Sequence, residues 1–169
     1  ESLETLILSK NSIGDKGASC IGTNTSWTNL KKIDLSANKI SCEGAVEIGN
    51  NQTWVYLQEL DLSHNQIGDQ AALKIESNIT FRNLMRINLS ASKLSDEAAV
   101  AIGTNVRWVK LEELYLNENE IGDKGAMVIG CNTVWVRLRK FEFHSNTGIT
   151  EVGKEKLRNN SIFGAFIHI

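Results

Sequence analysis

The sequence predicts a single α/β domain over residues 1–169: a right-handed solenoid of stacked repeats, with parallel strands on a concave face and short helices on a convex face. Three observations lead there. A leucine returns every 27 residues, at Leu3, Leu30, Leu57, Leu84, Leu111 and Leu138. Each return opens an alternating apolar run followed by a short helical one. No such unit can bury its own apolar side chains, whereas a stack of them can.

The strand comes first in each unit. Thr5-Leu6-Ile7-Leu8-Ser9 alternates apolar and outward positions, as a half-buried strand does. Its inward pair recurs down to Phe141 and Phe143 in the sixth unit. An asparagine column follows at Asn11, Asn38, Asn65, Asn119 and Asn146, with Ser92 as the one departure. Its repetition points to a ladder that satisfies turn backbone groups. An aliphatic stands two places on, from Ile13 to Ile121; in the sixth unit Gly148 is inserted and Ile149 arrives one place late.

The helix is next. From Asp15 to Gly22, Ala18 and Ile21 share a face at helical spacing, for about two turns. Asp15, Asp69, Asp96 and Asp123 stand at helix starts, where an anion complements the dipole. Ser41, Ser95 and Thr150 stand one place earlier, as N-caps. A second asparagine column, Asn24, Asn51, Asn78, Asn105, Asn132 and Asn160, follows the helix, where a left-handed residue is expected. An aromatic column, Trp27, Trp54, Phe81, Trp108, Trp135 and Phe163, closes the return to the next strand. Its regularity marks these rings as core rather than a sugar platform. Phe166 and Ile169 begin a seventh unit, and the chain opens at Glu1 already inside a repeat, as expected for a piece of a longer protein.

Composition narrows the function. Eighteen Lys and Arg stand against 20 Asp and Glu, a net charge of −2, which disfavours nucleic acid and anionic membranes as partners. No apolar run approaches the ~20 residues of a membrane span. Cys20, Cys42 and Cys131 lack metal-ligand spacing and read as free thiols. No nucleophilic or phosphate-binding arrangement recurs: His64, His144 and His168 fall in different columns, and Gly14-Asp15-Lys16-Gly17 lacks P-loop spacing. The expectation is a chain without catalysis, metal or cofactor. Sequons at Asn24, Asn51, Asn78, Asn88 and Asn159 read as by-products of the repeat.

The frame Leu-x-x-Leu-x-Leu-x-x-Asn-x-Ile, followed by Gly-Asp-Lys-Gly-Ala, resembles the leucine-rich repeat family, and the helix-bearing unit is similar to its ribonuclease-inhibitor-like class. The period of 27 is shorter than is usual in that class, and the Asn-x-x-aromatic ending is a local variant. The resemblance covers essentially the whole chain. It implies a horseshoe segment that binds a protein through its concave face, in the cytoplasm. The alternatives it carries are a secreted effector, a regulator of a small GTPase such as a GTPase activator, an extracellular receptor ectodomain, or plain scaffold within a longer horseshoe. Fold alone does not choose among them.

Function is sought where the units differ, on the outward strand positions. One column, Thr5, Lys32, Glu59, Arg86, Glu113 and Lys140, alternates in sign from Lys32 onward and reads as an ion-pair ladder or a charged footprint. The next, Ile7, Asp34, Asp61, Asn88, Tyr115 and Glu142, sets Asp34 beside Asp61, where they repel unless Lys32 or a partner's cation intervenes. It is too thin for calcium. Tyr115 reads as an exposed aromatic without structural cause, hence an interface anchor. A third column of serines, structural in the turn, ends in Asn117 and His144. The candidate partner-binding patch is therefore Met85, Arg86, Asn88, Glu112, Glu113, Tyr115, Asn117, Arg139, Glu142 and His144.

Overall fold

The computed structural model describes residues 3–169. Strand and helix alternate along the chain: β1 (Thr5–Ile7), α1 (Gly14–Gly22), β2 (Lys32–Asp34), α2 (Cys42–Asn50), β3 (Glu59–Asp61), α3 (Gly68–Ser77), β4 (Arg86–Asn88), α4 (Asp96–Gly103), β5 (Glu113–Tyr115), α5 (Asp123–Ile129), β6 (Lys140–Glu142), α6 (Glu151–Arg158) and β7 (Ile167–His168). All seven strands are parallel and lie in sequence order in one open sheet. This is a leucine-rich-repeat type solenoid, a sheet layer backed by a helix layer.

Each strand is shorter than its alternating run. The backbone ladder continues through Leu8 N–H to the Asp34 carbonyl and Lys10 N–H to that of Ser36, and then the chain turns away. The turn is made by a residue in the left-handed region: Lys10, Ala37, His64, Ala91, Glu118 and Ser145 have φ of 51–60°. This column is a finding the sequence did not announce, because none of the six is glycine.

The second asparagine column corrects the expected left-handed cap. Asn51 and Asn78 are extended, with φ of −63° and −67°. Their side chains form a second ladder instead. Asn51 Nδ2 donates to the Gly22 and Asn24 carbonyls of the unit before, while its Oδ1 accepts from Thr53 N–H. The first ladder is as expected: Asn38 Oδ1 accepts from Asn11 and Ile13 N–H, and its Nδ2 donates to Leu8 and Ser36 carbonyls.

Ser41, Ser95 and Thr150 cap their own helices. The aspartates do more than meet the dipole, since each serves the following unit. Asp15 accepts from Ser41 N–H, Ser41 Oγ and Gly44 N–H, and Asp123 from Thr150 N–H, Thr150 Oγ and Gly153 N–H. Where α5 has no capping side chain, Asp96 accepts from Gly122 and Gly125 N–H. The Gly148 insertion is absorbed in the turn beside Gly122, where a Cβ on Gly148 would meet Gly122 Cα at 2.9 Å.

The core runs the length of the stack. Trp54, Trp108, Trp135, Phe81 and Phe163 are fully buried, with Trp54 and Phe81 stacked at 6.5 Å. The seventh strand takes its own register: Ile167, rather than Ile169, lies beside Phe141. Helix ends approach closely, and a Cβ on Gly22 would stand 2.4 Å from the Glu47 carbonyl carbon.

Candidate functional site

The outward strand positions stand side by side because each strand pairs in register with the next. Arg86, Glu113 and Lys140 form one row, and Asp61, Asn88, Tyr115 and Glu142 the next. The first row is only partly the expected ion-pair ladder. Lys32 pairs with Glu59 at 2.7 Å, and Arg86 with Glu113 at 3.4 Å. Arg86 reaches on to Asp61 at 3.5 Å, and Lys140 to Glu142 at 3.7 Å.

Asp34 and Asp61 are neighbours as expected, yet Lys32 does not relieve them. Asp34 Oδ1 accepts from Ser36 N–H and Oγ, and Asp61 Oδ1 from Ser63 N–H and Oγ. The other Asp61 oxygen takes Asn88 Nδ2 at 2.9 Å and faces Arg86. The serine column thus satisfies one oxygen of each of these aspartates locally by hydrogen bonding.

Tyr115 departs from the sequence reading. It is half-buried, not free-standing. Arg86 and Lys140, from the strands on either side, lie 5.0 and 5.1 Å from the ring centroid, and the hydroxyl donates to Glu113 Oε2 at 2.8 Å. Such cation–π contacts are the structural reason for an aromatic here. Burial works against the Arg86 charge, but Tyr115, Asp61 and Glu113 together hold its pKa above the ordinary value.

The remaining candidates divide in two. Met85, Arg86, Glu112, Glu113 and Arg139 line one shallow depression together with Gln58 and Glu59, and Arg139 meets Glu112 at 2.8 Å. On the other side of the row, Asn117 Oδ1 accepts from Ser90 Oγ, and exposed His144 stands 3.9 Å from Glu142. Sequence reasoning missed His168, whose Nδ1 is 3.0 Å from Glu142. Its place depends on the shifted register of β7, which no column could announce. Among the described residues, no group of three or more His, Cys, Asp or Glu side chains is placed to hold a metal. Among the described residues, no helix is long and apolar enough to cross a membrane.

The sequons fare unevenly. Asn51 and Asn78 are buried, with their amide nitrogens committed to the ladder, while Asn159 is exposed.

The family model described as Leucine Rich repeat matches residues 1–22, 28–49, 55–75 and 109–130, just over half of the chain. The chain belongs to the leucine-rich repeat family. Of its leucine-rich repeats, the one carrying Ser92 in place of asparagine is not among those matched. No curated protein matches the chain. Among solved structures it is similar to one titled Leiomodin-1 Actin-Binding Site 2, at 16% identity and a TM-score of 0.59, over 75% of this chain and 79% of that one. At that identity the likeness concerns the fold.

Proposed function

We propose that the chain is a protein-interaction module whose strand face, centred on Tyr115, binds a protein partner. The observation that carries this reading is the setting of Tyr115. The ring is held between Arg86 and Lys140 with its hydroxyl on Glu113, and it is only partly buried. An aromatic already fixed among charged groups loses little freedom on binding and suits the anchor of an interface. Arg139 is exposed near it and offers charge to a partner's rim, and exposed His144 and His168 offer hydrogen-bonding groups. Support also comes from Actin-Binding Site 2 of leiomodin-1, a segment of similar fold. We place the chain in the ribonuclease-inhibitor-like class, since a helix backs each strand from β1 to β6.

The test is affinity capture followed by cross-linking and mapping of the linked residues. The reading expects captured partners to cross-link at the strand face and to be lost from Tyr115→Ala/Glu142→Ala while that variant stays folded. Equal capture by the folded variant overturns it.

A further inference from the structure

Most of the large apolar side chains that escape burial gather in one region of the fold, with Ile7, Met127 and Val152 lying elsewhere. Val55, Tyr56, Ile79, Val106, Val109 and Val136 are all exposed and all lie on the loops that return from helix to strand. Ile79 is 57% exposed and Val109 48%, whereas the repeating aliphatics of units two to five are fully buried. Between two of these loops runs an open groove of about 580 Å³, lined by Ile79, Arg82, Asn83, Arg107, Val109 and Lys110.

Its cations are weakly compensated. Arg82 Nε donates to the Ile79 carbonyl and Lys110 Nζ to Asn83 Oδ1, both uncharged acceptors. Among the described residues, Arg107 alone of the three meets a carboxylate, Glu76, at 3.5 Å. Three cations around an aliphatic floor stand out on a chain whose net charge is −2. We propose that this return-edge groove is a second docking surface, separate from the strand face, and that it takes an acidic peptide segment with aliphatic anchors from a partner protein.

Charge complementarity selects that occupant. Asp and Glu carboxylates match Arg82, Arg107 and Lys110, and a Leu or Ile side chain seats between Ile79 and Val109. Single-stranded nucleic acid fits less well, because no aromatic ring lines the groove for bases to stack on, and Phe81 in the same loop is fully buried. An anionic membrane calls for a broader basic field than three side chains.

The experiment is selection of a random phage-displayed peptide library on the whole chain, then fluorescence anisotropy with the enriched peptide. Enrichment of acidic sequences bearing Leu, Ile or Val is expected. Arg82→Glu/Lys110→Glu should weaken the peptide by about tenfold or more. Val109→Ser should weaken it several-fold, Tyr115→Ala should leave it unchanged, and added salt should weaken it. Enrichment of neutral or basic peptides, failure to enrich, or equal binding by both groove variants overturns the proposal. Displacement of the peptide by polyuridylate or by phosphatidylserine vesicles at comparable affinity also overturns it.

Discussion

Arg86 holds its guanidinium carbon 5.0 Å from the centre of the Tyr115 ring on the next strand. Lys140, from the strand on the other side, holds its Nζ 5.1 Å from the same centre. Exposed cation–π contacts are worth about 0.5–1 kcal/mol each. Tyr115→Leu should therefore destabilise the chain by about 1–2 kcal/mol, and Tyr115→Phe by less, since only the Glu113 hydrogen bond goes. A double-mutant cycle with Arg86→Met, read by urea unfolding, checks this; additive effects would remove the coupling.

Ser92 interrupts the first asparagine ladder. Its hydroxyl donates to the Ser90 carbonyl, and among the described residues no hydrogen-bond acceptor reaches Asn65 or Ile67 N–H. In the neighbouring unit, Asn119 Oδ1 accepts both equivalent N–H groups, from Ser92 and Leu94. Ser92→Asn should restore the pair and stabilise by about 1 kcal/mol. Thermal melting should rise by about 2–4 °C; a lower Tm would show that the site has no room for the amide.

Trp54, Trp108 and Trp135 each bury an indole N–H without an acceptor. Phe81 and Phe163 fill the same column without that cost. Trp108→Phe should therefore cost well under the about 3–5 kcal/mol of Trp108→Ala, because the smaller ring leaves a void but removes an unsatisfied donor. Chemical denaturation of the two variants side by side measures the difference.

Acid should loosen the stack at the aspartate links between units. The backbone N–H of Ser41, with its hydroxyl and Gly44 N–H, outweighs desolvation and holds the Asp15 carboxyl below its ordinary range. The Thr150 hydroxyl and backbone do the same for Asp123. A depressed folded-state pKa contributes stability that is complete above the unfolded value, about pH 4. That contribution is lost as pH falls through the lower folded value. Asp15→Asn/Asp123→Asn should be less stable at neutral pH and show a shallower loss of stability below about pH 4. Parallel slopes in pH-dependent urea unfolding would contradict the assignment.

The core was legible in the sequence because stacking gives every unit the same surroundings. A position buried in one unit is buried in the next, so Leu30, Leu57 and Leu84, or Trp54, Trp108 and Trp135, announce themselves by recurrence. Recurrence also placed Arg86, Tyr115 and Lys140 on adjacent strands, and the register agrees. It is silent on side-chain direction. Arg86 turning to Asp61, Tyr115 gaining two cations, and Asp15 capping the following helix depend on which partner lies within reach in space. Left-handed Ala37 and Ala91 carry no glycine to reveal them. Ile79 and Val109 look like core by composition and line an open groove, because burial belongs to the packed neighbours of a side chain and not to the side chain itself.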